Sequence, residues 1–327
     1  VRVADALHGA ADVREPVLRA LLGTAALQRL AGVHQAGAVW LVRPGRDVTR
    51  LQHSVGTMLL VRRLGGSTAE QAAALLHDAG HGAFSHVIDR VFDDAGDCWH
   101  EDAGVDLLRA GEVPALLAGH GLDPDAVLAL HDWPLLDREA PDLCADRIDY
   151  ALRDAVCEGL VTAGCARAFL DALAVTEEGT LAVTAPGPAA WFAERFDRLV
   201  GTVFCDPTGI WADWVLAGAI RRALALGALD PADLLSTDAA LLDRLRGAAD
   251  PEIDGALARL VPGARAVLAR PGEDADVVVH PKPRTVDPLV LGAEGAPVRA
   301  SALAPSIARD AAALRARVAA GIAVRAA

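Results

Sequence analysis

The run Ala73-Ala74-Leu75-Leu76-His77-Asp78-Ala79-Gly80-His81-Gly82-Ala83-Phe84-Ser85-His86 constrains the fold more than any other stretch of this chain. It sets an imidazole and a carboxylate side by side at the end of a small-residue, apolar helix, with a second imidazole one turn on. Adjacent polar residues at the buried end of such a helix need partners to offset their lost hydration. A divalent cation is such a partner. Neutral imidazole nitrogen and carboxylate oxygen together suit Mn, Fe, Co, Ni or Zn, whereas dedicated Mg or Ca sites favour oxygen alone. His77 and His81 stand at i and i+4, so a continuing helix would place both on one face. The pair His131-Asp132 lacks the small-residue context and, before Trp133-Pro134, reads as a helix end.

Apolar residues make up 53% of the 327 positions, but aromatics only 4%, and this Ala-, Leu- and Val-rich mixture favours helices over a β-sandwich. The length suits one large core with an appendage. No apolar run is long enough to span a bilayer, and no basic-then-apolar segment opens the chain, so the expected compartment is cytoplasmic, with no membrane partner. The five cysteines form no CxxC pair and are expected as free thiols. A net charge of −13 makes nucleic acid an unfavourable partner. An anionic substrate must instead meet a local cluster of Arg, since Lys282 is the only lysine.

Periodicity predicts helices over Val13–Ala31, Thr49–Leu64, Ala69–Asp78, Val87–Phe92, His100–Arg109 and Leu143–Cys157. A hairpin is expected at Leu173–Thr184 around Glu177-Glu178-Gly179. Further helices follow over Ala189–Val203, Ile210–Leu226, Ala232–Leu245 and Ile253–Leu260, then a strand at Asp276–His280. Pro271–Pro297, rich in Pro and Gly, reads as an irregular surface region, and Arg299 to the end as loosely helical. Long amphipathic stripes in this half would serve a homodimer or an internal core equally.

Polar residues recur at helical positions among apolar neighbours: His53, His77-Asp78, His81 and Asp146. Arg50 precedes His53 by one turn. Asp146, Tyr150 and Arg153 share a face at i, i+4 and i+7, a carboxylate, phenol and guanidinium that could line a site or form surface ion pairs.

Taken together, these residues resemble the HD-domain metal-dependent phosphohydrolases, and within them the branch that includes deoxynucleotide triphosphohydrolases. The resemblance runs from Asp5-Ala6-Leu7-His8-Gly9 through Leu27-Gln28-Arg29-Leu30, His34-Gln35-Ala36-Gly37 and Thr49-Arg50-Leu51-Gln52-His53-Ser54-Val55-Gly56. It continues through the His-Asp run, Trp99-His100-Glu101 and Ala145-Asp146-Arg147-Ile148-Asp149-Tyr150, and more weakly to Arg284-Thr285-Val286-Asp287-Pro288. It implies an all-α HD-domain helical fold with a small β-hairpin or strand element in the second half. Residues 1–165 would form the catalytic core and 166–327 a mostly helical extension packed on it.

The resemblance further implies that His53, His77, Asp78 and Asp146 bind one divalent transition metal. His81 and His100 match positions near the substrate phosphate, and Asp89 one that orients a catalytic His. For His100 a helix-capping role with Glu101 is the alternative. His86, after Phe84-Ser85, is expected to serve packing or to support the groups that line the site. Gln35 and Arg50 match contacts to a nucleotide's sugar and phosphate, Arg147 one facing phosphate, and Tyr150 one packing on the sugar. The expected activity is hydrolysis of a small phosphate ester, a nucleotide or deoxynucleotide. One departure bears on phosphate number: Phe204-Cys205-Asp206-Pro207 stands where relatives carry Tyr, His and Lys, and a carboxylate there would disfavour a triphosphate. Two other classes stay open at this point. One is a di-iron oxygenase using His81 and His100 for a second metal, and the other is a non-catalytic nucleotide-binding protein.

Overall fold

Thr49 starts the central helix, Arg50–Arg63, with a reciprocal capping box: its hydroxyl accepts from the Gln52 amide while the Gln52 side chain accepts from the Thr49 amide. Gly65, at φ 85°, turns the chain back, and Ser67 caps the next helix, Thr68–Leu76. These two helices pack antiparallel, and Ala145–Cys157 packs across the first. The three carry the sites singled out above.

The computed structural model describes residues 1–92, 99–270, 272–292 and 296–327, and at 99–103 the backbone alone. Helices dominate, as expected, with strands confined to small sheets. The expected Val13–Ala31 helix is two, Pro16–Leu22 and Ala25–Arg29, because Thr24 turns extended and its hydroxyl donates to the Leu21 carbonyl at 2.7 Å. Ahead of it lies an unforeseen hairpin, Arg2–Asp5 paired with Gly9–Asp12. Its turn is closed by the Asp5 carboxylate, which accepts from the Leu7 and His8 amides.

In the second half the Leu173–Thr184 hairpin forms with Leu173 opposite Val183 and is extended by Leu289–Leu291 and Pro297–Arg299. Within Pro271–Pro297, expected to be irregular, Leu289–Leu291 is a strand that was not expected, and Val277–Val279 falls on the strand expected at Asp276–His280. From Arg299 onward the chain is helical as expected over Ala300–Leu303 and Ser306–Ala319, but it ends in strand Ile322–Ala326, which was not expected. That strand is the middle member of a second sheet, between Ala266–Leu268 and Val277–Val279. The reason is local: Val, Ile and Ala alternate at the terminus, and Val324 is fully buried between its two neighbours.

Helix Pro207–Ala225 runs through the second half and packs on Val87–Val91 from the first. Buried apolar residues from both halves form one continuous cluster. Among the described residues no helix is long and apolar enough to cross a membrane.

Candidate metal centre

His53 projects from the first turn of the Arg50–Arg63 helix and is 1% exposed. Its Nδ1 lies 2.8 Å from Asp149 Oδ1 and its Nε2 2.9 Å from Asp146 Oδ1. His77 occupies the C-cap of the Thr68–Leu76 helix, which ends there instead of continuing toward His81. Its Nδ1 is 2.8 Å from the Ala74 carbonyl, which leaves Nε2 to face His53 Nε2 at 3.3 Å and Asp146 Oδ1 at 3.4 Å. Asp78 brings Oδ1 to 3.5 Å from His77 Nε2 and Oδ2 to 3.7 Å from His53 Nε2.

Four donors from three separate stretches of the chain therefore converge, and a tight subset of them, from His53, His77 and Asp146, lies within 4.8 Å of one another. Each imidazole has its outer nitrogen committed to an acceptor and its inner one turned toward the carboxylates. That arrangement fixes the tautomer a metal-binding histidine needs. Burial opposes charge on His53, but its hydrogen bonds to Asp146 and Asp149 and the charge of Asp78 raise the imidazole to about 10. Against its own burial, Asp146 is held well below the usual carboxylate range by His53 and His77. The donor set of two imidazoles and two carboxylates, with a strong local demand for positive charge, fits a divalent transition ion.

Asp149, not singled out from the sequence, stands behind this centre. It is fully buried, accepts from His53, and takes both Nε and Nη2 of Arg153 at 2.8 Å. Arg153 in turn meets Asp5 of the N-terminal hairpin at 2.9 Å. Arg153 thus backs the site and does not line it, contrary to the shared-face expectation. Gly56 makes room for this layer: a Cβ there would fall 1.9 Å from Arg153 Nη2 and 2.2 Å from Asp149 Oδ2.

A cavity of about 980 Å³ opens over the donors. Arg50, 5% exposed, lies at its floor, giving Nη1 to Asp78 at 2.7 Å and Nε to the Ser85 hydroxyl at 2.9 Å. Phe84 and Ser85 both adopt left-handed backbone, φ 61° and 52°, a costly pair for non-glycine residues. They are held by Asp238, which accepts from the Phe84 amide at 2.6 Å, and by the Ser85 hydroxyl donating to the His34 carbonyl at 2.7 Å.

This turn aims His86 into the cavity beside His81, ring centroids 5.0 Å apart. His86, expected to pack or to support the site, lines the cavity and is paired through Nδ1 with Asp89 at 3.0 Å. Asp89 is 1% exposed and does not itself line the cavity. Enclosure pushes His86 down to about 4; Asp89 pulls the other way, while Arg50 and Arg284 add to the fall. His81 is 2% exposed with Nε2 3.4 Å from Asp78 Oδ1. His100 lies in helix Trp99–Ala110, with its side chain outside the described residues.

Gln35 and Tyr150 line the cavity, Gln35 donating to Asp154 at 3.1 Å. Burial raises Asp154 to about 6 despite that bond. Arg147 does not join them: its guanidinium turns to the Asp142 carbonyl at 2.5 Å. Asp206 is also elsewhere, capping Pro207–Ala225 through the Gly209 amide at 2.9 Å and pairing with Arg43 at 2.9 Å. Asp206 therefore drops out of the sequence argument against a triphosphate, while Phe204 and Cys205, without basic groups, do line the cavity. His131-Asp132 forms one 3₁₀ turn, and His131 pairs with Asp137 at 2.8 Å.

The HD domain family matches residues 50–151, the segment holding all four donors. The metal-dependent phosphohydrolase cns2 of Cordyceps militaris is 34% identical over 88% of this chain and 84% of its own length. The chain belongs to the HD-domain metal-dependent phosphohydrolases. YdhJ of Bacillus subtilis, an uncharacterized protein, is 35% identical over 89% of both chains. A crystal structure of a phosphohydrolase from Bacteroides thetaiotaomicron superposes on the whole chain with a TM-score of 0.77 at 17% identity, a likeness of fold. In this HD-domain enzyme the matched segment ends before the Pro207–Ala225 helix and strand Val277–Val279, which form the far wall of the cavity.

Proposed function

We propose that this hydrolase acts on a nucleotide, with one divalent transition metal held by His53, His77, Asp78 and Asp146. The observation that carries the reading is the convergence of two imidazole Nε2 atoms and two carboxylates at the floor of a cavity large enough for a nucleotide. In this reading residues 1–165 hold the metal, and 166–327 close the cavity and set substrate choice. The Danio rerio protein named deoxynucleoside triphosphate triphosphohydrolase SAMHD1, 33% identical over 36% of this chain and 22% of its own, supports a nucleotide. So do the cavity walls, where Tyr150 and Phe204 rings stand 6.2 Å apart beside Trp214. Such faces suit a sugar and a base, and Gln35 with Asp154 offers both a donor and an acceptor to sugar hydroxyls.

When bound, the metal supplies an acidified water and charge neutralisation for the phosphate. The chain's own residues do the rest. Arg50 sits between Asp78 and Ser85, where its guanidinium can share a phosphate oxygen without moving far. With Nδ1 committed to Asp89, His86 exchanges protons through Nε2, and its low pKa keeps it neutral near pH 7. His81, beside Asp78, faces the same oxygens.

The test is elemental analysis joined to a product assay of the Mn- or Fe-loaded protein on nucleoside mono-, di- and triphosphates. About one metal per chain with release of orthophosphate or tripolyphosphate is the expected result. Two irons with oxygen consumption, or turnover only of phosphate esters lacking a nucleoside, would overturn the nucleotide reading.

A further inference from the structure

The segment His280-Pro281-Lys282-Pro283-Arg284 leaves strand Val277–Val279 and runs along the cavity. Two prolines, Pro281 and Pro283, restrict its backbone. His280, Pro281, Lys282 and Arg284 all line the cavity. The only lysine of a chain with net charge −13 therefore lies on this arm. At the inner end, Arg284 Cζ is 5.9 Å from the centroid of the Tyr150 ring, and Tyr150 lies edge-on to His53 with centroids 6.4 Å apart. The guanidinium thus stands beside the ring that borders the metal donor His53.

We infer that this arm is the second anion-binding wall of the site, with Arg284 gripping the oxygens of the phosphoryl group at the metal centre and Lys282 an anionic group farther out. The inference rests on the phosphohydrolase reading and adds the residues that select for phosphate. Guanidinium geometry matches phosphate oxygens two at a time, and the Tyr150 ring 5.9 Å away gives the cation a neighbour at the inner end of the arm. The depressed His86 imidazole is a further sign that the Arg284 charge is felt beside it. The arm is also tied to the end of the chain, because Ile322–Ala326 pairs with the strand from which it springs.

The probe is inorganic phosphate, titrated calorimetrically into Mn-loaded wild type, Arg284→Ala, Arg284→Lys and Lys282→Ala, with Mn affinity and nucleotide turnover measured alongside. Loss of a charge-assisted contact should weaken phosphate binding by about 10- to 100-fold in Arg284→Ala. Arg284→Lys should recover part of that, and Mn affinity should stay within about twofold, because Arg284 is not a ligand. Lys282→Ala should leave phosphate binding unchanged but raise KM for substrates with a second anionic group. Wild-type phosphate affinity in Arg284→Ala would overturn the inference and leave the nucleotide reading standing. Phosphate binding lost in Arg284→Ala, with no nucleotide hydrolysed by wild type, would support the arm and remove the nucleotide reading. No phosphate binding by wild type would overturn both.

Discussion

The floor and the far wall of the cavity are built in opposite ways. At the floor, His53, His77 and Asp149 are held by two or more partners at hydrogen-bond distance or ion-paired contact, and the layer behind them, Asp149, Arg153 and Asp5, is at most 4% exposed. On the far wall, charged side chains come from a proline-stiffened arm and from one face of the Pro207–Ala225 helix, and His280 and Lys282 are exposed. A buried, over-determined floor costs desolvation, offset only while every charge keeps its partner. It suits a task that tolerates little geometric error, such as presenting four donors to one ion. An exposed wall changes its side chains at little cost to the fold, which suits substrate selection.

The largest effect expected from breaking this contrast is at the floor. His77→Ala should abolish metal retention and bring hydrolysis to background while helicity persists, since His77 sits at a helix cap and outside the apolar core. Metal analysis and circular dichroism check this together; loss of helicity along with metal would make the residue structural. Asp78→Ala should also lose the metal but unfold at lower temperature, because Arg50 would be left buried without its carboxylate. One layer back, Asp149→Asn should be milder for metal and harsher for the fold. It leaves Arg153 with Asp5 alone, costing about 3 kcal/mol, and weakens metal binding by about 10- to 100-fold through the loosened His53 ring. Denaturant unfolding and a metal-competition titration would separate the two losses.

What the sequence made legible follows the same division. His53, His77, Asp78 and Asp146 could be read because each lies in a short motif on a helix whose apolar neighbours make a polar residue conspicuous. Asp149 and His86 were within reach: Asp149 lies three residues after Asp146, and His86 three before Asp89, the spacing at which helical side chains meet. Arg147 shows where helical reasoning stops, since a long side chain at a helix start can swing either into a cavity or back to the Asp142 carbonyl. Arg153 misled for a related reason, because the residue four before it, Asp149, offered a buried partner on another side of the helix. Asp206 looked like a substrate-facing carboxylate until the start of Pro207–Ala225 was in view, where Asp before Pro is a helix cap. The strand leading into the arm at His280–Arg284 was legible, but the arm's place on the cavity was not, because it depends on strand pairing with the last residues of the chain. Short strands with such remote partners leave only a weak local signature.

The finest expected effect joins the two regions through His86. Its ring is pushed down to about 4, against an ordinary value near 6.5, so the folded protein keeps it neutral across the interval between them. In that interval the unfolded chain binds more protons, so this group's contribution to stability grows as pH rises through it and is lost as pH falls. Because His86 is 38% exposed toward the cavity, solvent screens much of the shift, and the stability change should be small. The titration itself is the sharper readout. Proton NMR of the ring, assigned with His86→Gln, should show its midpoint well below 6. Removing the nearby positive charge in Arg284→Ala should move that midpoint up, toward the ordinary value. Removing the carboxylate in Asp89→Asn should move it down, since Asp89 is the group favouring the imidazolium. Opposite shifts would show that His86 feels both the floor and the far wall. A midpoint unmoved by Arg284→Ala would mean that the arm's charge does not reach the proton-transfer residue, and that wall and floor act on the substrate separately.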